Sequence, residues 1–275
     1  MAPVNTVQSQ SRRFVQRQAW GDVVWHIWGE GGSKKPPLVL FHGGSGSWTH
    51  WVRNVIHLAK QREVWAMDLP GFGDSSLPPN VRDADDLAPY VARILAATFG
   101  ARAVDVVGFS FGGLTAGLVA AHNPEVIRRL FLVGVPGLGL MREALPMRGM
   151  LPEMSNLQRA AVHRHNLRVM MVSDEAQIDE ALIELQEANV VRDNMRRRKI
   201  ARTDVLLQVQ HQWQCPVHGL WGDKDALYHS NLQRIPEVLT RLNSFHLIAN
   251  AGHWVAYEQP EAFHLVLDQL LGQSN

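Results

Sequence analysis

The chain has 275 residues, of which 46% are hydrophobic and 19% are charged, and 27 Lys and Arg residues stand against 26 Asp and Glu residues. This composition is typical of a globular protein and excludes a disordered or fibrous chain. The balanced charge gives no electrostatic reason to expect a nucleic acid or a membrane as a partner. The length suits one large α/β domain or two small ones, and we favour one domain with an insertion.

The N-terminal residues and the single cysteine indicate the cellular compartment in which the protein is expected. Cys215 has no second cysteine to pair with, so an intramolecular disulfide is excluded. Residues 1–13 are polar and lack the apolar stretch of a secretory signal, and no run approaches the roughly 18 apolar residues of a membrane span. We therefore expect a cytoplasmic protein with a flexible tail over residues 1–13.

The first half of the chain alternates strand and helix patterns. Short apolar or alternating runs bounded by turn residues predict strands, and longer runs that stop at Gly or Pro predict helices. The predicted strands are 14–19, 23–28, 38–41, 64–67, 103–107 and 129–133, and the predicted helices are 49–60, 83–100 and 110–122. The first two strands form a hairpin. The remaining succession predicts a mostly parallel central sheet with helices on both faces and right-handed crossovers.

The pattern changes between residues 138 and 212. Strand-like runs stop and methionine becomes frequent, which predicts a helical insertion with helices near 155–171, 175–198 and 203–210. Strands resume at 216–220 and 244–248, and an amphipathic helix spans 260–271. The sequence thus predicts a core over 14–137 and 213–273 and a helical cap, or lid, over 138–212.

The strand predicted at 103–107 runs into Gly108-Phe109-Ser110-Phe111-Gly112-Gly113, and a helical pattern follows. A serine in Gly-x-Ser-x-Gly between strand and helix lies on a strained turn with its hydroxyl projecting, where only small neighbours fit. The Gly-x-Ser-x-Gly motif also occurs in ordinary glycine-rich turns, so assigning Ser110 as a nucleophile depends on finding a base and an acid elsewhere in the chain. Ser110 is the candidate nucleophile.

A serine nucleophile needs a base and a third group that orients the base. In open parallel sheets reactive groups collect at the carboxyl ends of strands. His253 follows the strand at 244–248, and both Asp223 and Asp225 follow the strand at 216–220. The Gly-x-x-Asp spacing favours Asp225, with Asp223 as the alternative; either carboxylate could instead cap a helix.

The oxyanion of acyl transfer needs preorganised N–H donors. One expected donor is the backbone of Phe111, directly after the nucleophile. The other is Gly44, in the glycine-rich stretch His42-Gly43-Gly44-Ser45-Gly46 that follows the strand at 38–41. This stretch is no dinucleotide fingerprint, because Thr49 stands where the third glycine belongs. The aromatic residues Trp48, Phe109 and Trp254 are expected to line an apolar substrate pocket.

No cofactor or metal is expected. The 13 histidines are dispersed, and those of His163-Arg164-His165 point to different faces of a helix. The basic residues 196–199 are most simply a solvated helical face, with an anionic-substrate clamp as the alternative. The methionines of the insertion fill core space or form an adaptable lid.

Taken together, these motifs resemble the α/β-hydrolase fold family. The matching stretches are His42-Gly43-Gly44, Asp68-x-Pro70-Gly71-x-Gly73-x-Ser75, the run around Ser110, Gly222-x-x-Asp225 and Gly252-His253. A serine at position 110 argues against haloalkane dehalogenases and epoxide hydrolases, which carry aspartate there.

Within this family, Gly252-His253-Trp254, Pro136-Gly137-Leu138-Gly139 and the helical insertion are similar to the hydrolases that cleave carbon–carbon bonds in meta-ring-fission products. Two positions depart from that subgroup. Phe109 stands where it usually has Asn, and Leu185 stands near the place of its lid arginine.

The favoured hypothesis is a serine hydrolase that cleaves a small, largely apolar ester through Ser110, His253 and Asp225. The alternatives are a carbon–carbon bond hydrolase of meta-cleavage products and, from another class, a ligand-binding receptor on a hydrolase scaffold. The expected partner is a small-molecule substrate, without nucleic acid or membrane. The oligomeric state is open, with a homodimer among the alternatives.

Overall fold

The computed structural model describes residues 4–31, 33–102, 104–141, 144–196 and 198–273. Eight strands form one sheet in the order β1-β2-β4-β3-β5-β6-β7-β8. They are β1 (Arg12–Gln18), β2 (Gly21–Trp28), β3 (Leu38–Phe41), β4 (Val64–Met67), β5 (Val104–Phe109), β6 (Ile127–Val133), β7 (Val217–Gly222) and β8 (Ser244–Ile248). The pairs β1/β2 and β2/β4 are antiparallel and all others are parallel. The predicted fold class is confirmed.

The α-helices that surround this sheet are α1 (Val4–Ser9), α2 (Val55–Leu58), α3 (Ala84–Phe99), α4 (Phe111–His122), α5 (Asn156–Asn166), α6 (Glu180–Val191), α7 (Val205–Val209), α8 (Ile235–Val238), α9 (Val255–Glu258) and α10 (Pro260–Gly272). Five 3-10 segments, Trp48–Trp51, Glu175–Gln177, Ile200–Arg202, Gln210–Gln212 and His229–Arg234, and one π-helical segment, Leu167–Met171, complete them. None of the helices in the described ranges combines the length and apolar composition needed to cross a bilayer.

Side chains of the parallel strands alternate between two hydrophobic clusters, one on each face of the sheet. On β3, Val39 and Phe41 join the cluster that includes α3 and α4, while Leu38 and Leu40 join the cluster that includes α10. Because successive residues of a strand point to opposite faces, a strand covered by helices on both sides has an apolar residue at every position. This explains the continuous apolar runs in the sequence.

The segment predicted as one helix over 49–60 is divided in the structure. A 3-10 turn, Trp48–Trp51, is followed by the short helix α2. Between them Asn54 is fully buried, and its side-chain amide donates to the carbonyl of Ala256 at 2.8 Å. This tertiary hydrogen bond holds Asn54 in the core.

The N-terminal segment also differs from the expected flexible tail. Residues 4–9 form α1, in which Val7 is buried, and residues from Arg12 onward already belong to β1. The indole N–H of Trp28 donates to the carbonyl of Val7 at 2.9 Å. This hydrogen bond ties α1 to β2 and supplies an acceptor for the buried indole of Trp28.

The segment predicted as an insertion contains α5, α6 and α7, and α6 is shorter than the helix predicted over 175–198. α6 ends at Val191 and not near residue 198, and residues 192–196 and 198–199 lie in a loop that begins at the C-cap Arg192. Two residues of the predicted elements, Ala103 and Arg197, lie outside the described residues.

Candidate active site

Ser110 occupies the turn between β5 and α4. Its backbone has φ +50° and ψ −118°, a conformation that residues other than glycine rarely adopt. A Cβ on Gly112 would lie 2.4 Å from the carbonyl oxygen of His42 and 2.5 Å from that of Phe41. The start of α4 therefore packs directly against the end of β3, which is why the position after Phe111 requires glycine.

Ser110, His253 and Asp225 form a continuous hydrogen-bonded chain. Ser110 Oγ lies 2.9 Å from His253 Nε2, and His253 Nδ1 lies 2.9 Å from Asp225 Oδ2. The imidazole and the carboxylate are 1% and 0% exposed. The other carboxylate oxygen accepts from the N–H of Leu227 at 2.9 Å, which fixes the carboxylate's orientation. With Asp225 as acceptor, Nδ1 carries the hydrogen and Nε2 is free to accept a proton from Ser110.

The structure distinguishes the two candidate acids. Asp223 is exposed, and one of its oxygens accepts from the N–H of Ala251 at 3.3 Å. The chain turns after Gly222, so Asp225, which is three residues further along, meets His253. The acid in contact with the imidazole is thus Asp225.

The two expected oxyanion donors lie in the wall of one cavity with Ser110. Gly44 and Phe111 both line it. Within the described ranges, neither the N–H of Gly44 nor that of Phe111 donates to any protein acceptor. Both N–H groups are available to an oxygen atom bound beside Ser110.

Two buried histidines hold the chain around Gly43. Burial lowers the pKa of His42 to about 4 and that of His50 well below its ordinary value, so both are neutral at pH 7. The N–H of Leu69 donates to His42 Nε2 at 2.9 Å, and the N–H of Gly43 donates to His50 Nδ1 at 3.1 Å. A protonated imidazole could not accept these bonds.

The cavity has a volume of about 470 Å³, within the range of small-molecule sites. Residues of the insertion contribute much of its wall. Five of these lining residues are methionines: Met141, Met147, Met150, Met170 and Met171.

Two of the three predicted pocket aromatics lie elsewhere. Phe109 lines the cavity, but Trp48 and Trp254 are core residues. Trp48 packs against the rings of His26 and Trp28, with centroid distances of 5.0 and 5.3 Å. The indole N–H of Trp254 donates to the carbonyl of His50 at 2.9 Å, which turns the ring away from the cavity.

The expected solvated face at 196–199 is also different. Arg198 is on the loop after α6 and lines the cavity, where its Nη1 lies 3.0 Å from Asp193 Oδ2. Side-chain exposure is 19% for Arg198 and 3% for Asp193. Sequence reasoning missed this buried ion pair, because nothing in a run of basic residues distinguishes the one that turns inward.

One group of side chains has the donor types of a metal site. Ligand atoms of His26, Asp68 and Asp74 lie within 4.8 Å of one another. The carboxylate of Asp74, however, already pairs with Arg192 at 3.0 Å and Arg13 at 3.6 Å. A cation would compete with two guanidinium groups there, so the group is better explained as a salt-bridge network.

Comparison with known proteins gives the following similarities. Residues 36–171 match the family model described as alpha/beta hydrolase fold. The chain is 32% identical over 250 residues, 86% of its length, to the dihydrolipoyllysine-residue acetyltransferase component of the acetoin cleaving system of Pseudomonas putida, and spans 63% of that protein. It is 26% identical over 98% of its length to a 2-hydroxy-6-oxononadienedioate/2-hydroxy-6-oxononatrienedioate hydrolase of Paraburkholderia phymatum, of which it covers 99%.

Among solved structures, a bacterial membrane phospholipase A superposes with a TM-score of 0.74 at 25% sequence identity, covering 98% of this chain and 90% of that one. The similarity therefore includes the sheet and the helical insertion. The names of these proteins describe different activities.

Proposed function

Since the chain belongs to the alpha/beta hydrolase fold family, we propose that it is a serine hydrolase that cleaves a small, largely apolar ester. The observation that carries this proposal is the chain of two 2.9 Å contacts from Ser110 through His253 to Asp225 at the wall of a cavity. Nucleophile, base and orienting acid are each in hydrogen-bond reach of the next, as acyl transfer requires.

In the first half of the reaction, Ser110 Oγ attacks the ester carbonyl carbon while His253 Nε2 takes the hydroxyl proton. The carbonyl oxygen becomes an oxyanion, which the N–H groups of Gly44 and Phe111 stabilise. The C–O bond to the alcohol then breaks, and the leaving alkoxide receives the proton from His253. An acyl group remains on Ser110.

In the second half, water replaces the alcohol. His253 takes a proton from the water as its oxygen attacks the acyl carbon, and a second oxyanion forms in the same place. The bond to Ser110 Oγ breaks, the proton returns to Oγ, and the carboxylic acid leaves. Throughout, Asp225 keeps the hydrogen of His253 on Nδ1 and stabilises the imidazolium.

The cavity wall supports the proposal of a largely apolar substrate. Methionines and Phe109 offer flexible, apolar contacts that suit a hydrocarbon acyl or alcohol group. Gln186 also lines the cavity, and its Oε1 is buried without a partner in the described part of the chain. A hydroxyl or amide N–H on the substrate would satisfy that oxygen, so esters that carry one such donor should be preferred.

The second candidate is hydrolysis of a carbon–carbon bond in a vinylogous 1,5-diketone by the same three residues. It is favoured by the similarity to the oxononadienedioate hydrolase over nearly the whole chain. Two residues argue against it: Phe109 stands where that subgroup usually has Asn, and Leu185 stands near the place of its lid arginine. Leu185 is 6% exposed and belongs to the hydrophobic core, where it offers no charge to a substrate.

The test compares both bond types on the purified protein. We expect rapid hydrolysis of p-nitrophenyl esters from acetate to decanoate, with a preference set by chain length, and loss of turnover in Ser110→Ala. Bleaching of a coloured dienoate ring-fission product faster than any ester turnover would favour the second candidate. Absence of turnover on both classes would refute the proposal.

A further inference from the structure

We propose that Asp193 and Arg198 are positioning residues that hold the oxyanion loop, residues 42–46, in the conformation that aims the Gly44 N–H at the reacting oxygen. This inference rests on the proposed function. It assigns to the loop after α6 a role in transition-state stabilisation in addition to lining the cavity.

Beyond the contacts of His42 and His50 that hold Gly43, the oxyanion loop has little means of fixing its own shape. Gly43, Gly44 and Gly46 have no side chains to pack, and glycine backbones are the most freely rotating. Ser45 lies at φ +50°, which a residue with a Cβ adopts only when its surroundings impose it. The direction of the Gly44 N–H therefore depends on contacts from outside the loop.

Asp193 and Arg198 supply these contacts. Ser45 Oγ donates to Asp193 Oδ2 at 2.5 Å and accepts from Arg198 Nη2 at 3.3 Å. Arg198 Nη1 donates to both oxygens of Asp193, at 3.1 and 3.0 Å, and to the carbonyl of Met195 at 2.6 Å. The three side chains form a closed triangle in which Ser45 is the one member that belongs to the loop.

The guanidinium group of Arg198 also touches both residues that carry the expected oxyanion donors. Its Nη2 would lie 3.0 Å from a Cβ on Gly44, so it packs directly against that residue. Its central carbon lies 5.2 Å from the ring centroid of Phe111 and 5.2 Å from that of Phe72. Arg198 therefore packs against both Gly44 and the side chain of Phe111.

The charges indicate a positioning role and not a direct electrostatic one. The carboxylate of Asp193, which is 3% exposed, compensates the charge of Arg198, and the paired charges weaken the field at the reacting oxygen. The pair therefore acts on the reaction through the position that it imposes on the oxyanion loop. Misplacement of a catalytic group by about 1 Å costs on the order of 100-fold in rate, so loss of the pair should lower kcat and leave KM nearly unchanged.

The experiment uses Arg198→Met, which keeps the length of the side chain and removes its donors, with Asp193→Asn and Ser45→Ala as companions. Arg198→Lys should recover part of the effect. The matched control is Arg192→Ala, from the same loop, whose side chain pairs with Asp74 at the surface. Readouts are kcat and KM on a p-nitrophenyl ester, the Ki of a trifluoromethyl ketone, and amide hydrogen–deuterium exchange over residues 42–48.

We expect kcat to fall about 10–100-fold in Arg198→Met with KM within about twofold. The Ki of the ketone should rise by the same factor as kcat/KM falls, because its tetrahedral adduct carries the oxyanion. Exchange over residues 42–48 should accelerate in Arg198→Met and Asp193→Asn but not in Arg192→Ala.

A raised KM at constant kcat would overturn the inference, since it would make Arg198 a substrate contact. Unchanged exchange over 42–48 in Arg198→Met would overturn it as well. A wild-type protein without ester hydrolysis would refute the proposed function, and in that case the exchange comparison alone still decides whether the pair holds the loop.

Discussion

Replacement of Asp225 by asparagine perturbs the hydrogen-bonded chain at its buried end and leaves the volume of the side chain nearly unchanged. The N–H of Leu227 donates to Oδ1 at 2.9 Å, so the amide oxygen of the new side chain must stay on that side. Its NH2 group then faces His253 Nδ1, which lies 2.9 Å from the present Oδ2. Because NH2 can only donate, Nδ1 becomes the acceptor and the hydrogen moves to Nε2.

An imidazole with its hydrogen on Nε2 cannot take the proton of Ser110. In a serine triad of this geometry the wrong tautomer costs about 10⁴-fold in kcat, which corresponds to about 5.4 kcal/mol at 1.36 kcal/mol per tenfold. We expect that loss for Asp225→Asn in a p-nitrophenyl ester assay, with KM within about twofold. The thermal midpoint should change little, because the two side chains are of nearly equal size.

The matched control is Asp223→Asn, two residues away, exposed, and with one backbone hydrogen bond at 3.3 Å. It should retain activity within about twofold, because the Asp223 side chain takes no part in the contacts among Ser110, His253 and Asp225. The reasoning is refuted if Asp225→Asn keeps more than about a tenth of wild-type kcat, or if the control loses as much activity.

Three further predictions concern the framework around the site. Gly112→Ala places a Cβ 2.4 Å from the carbonyl oxygen of His42 and should destabilise the fold by about 3 kcal/mol or more in urea unfolding; an unchanged midpoint would contradict the packing described. Glu258 is 3% exposed and accepts from the N–H of Gly252 at 2.6 Å and from Ser173 Oγ at 2.7 Å. Glu258→Ala should therefore lower the free energy of unfolding by about 3 kcal/mol or more, and Glu258→Gln by less. Equal stability of both variants would argue against these hydrogen bonds. The free energy of unfolding should decrease as the pH falls from 6.5 to 4. Burial lowers the pKa of His42 to about 4, whereas the same histidine in the unfolded chain takes up its proton near pH 6.5, and this difference lowers the free energy of unfolding by about 3 kcal/mol. Burial raises the pKa of Asp68 to about 6, which acts in the opposite sense over the same interval. Its contribution is outweighed, since four buried histidines have a pKa lowered to about 4: His26, His42, His218 and His264. Urea midpoints measured across this interval check the sign, and a flat or rising profile as the pH falls would contradict it.

The fold could be predicted from the sequence where local pattern and sheet position agree. β3, β5 and β7 are buried on both faces, so their apolar runs stand out from the turns around them. Ser110 and His253 follow β5 and β8, which are parallel, so both residues are expected at the carboxyl edge of the sheet.

The remaining features depend on contacts between distant segments. Asn54 interrupts a helical pattern because its partner lies 202 positions away, at Ala256. Arg198 turns inward because Asp193 and Ser45 receive it, and its own neighbours in the sequence are equally basic. Trp48 and Trp254 follow motif residues in the chain, but packing with other rings takes them into the core. Position in the sequence shows which loop a residue belongs to and not which way its side chain points.

The most direct test of the central claim is covalent labelling of the wild-type protein by a fluorophosphonate, read by mass spectrometry of the peptide that contains Ser110. Ser110 Oγ displaces fluoride from phosphorus, and His253 takes the proton. We predict one adduct on that peptide, at a rate that falls sharply in His253→Ala, and no adduct in Ser110→Ala. Equal labelling of wild type and Ser110→Ala, or an unlabelled wild-type Ser110 in protein that hydrolyses esters, would contradict the proposed role of Ser110.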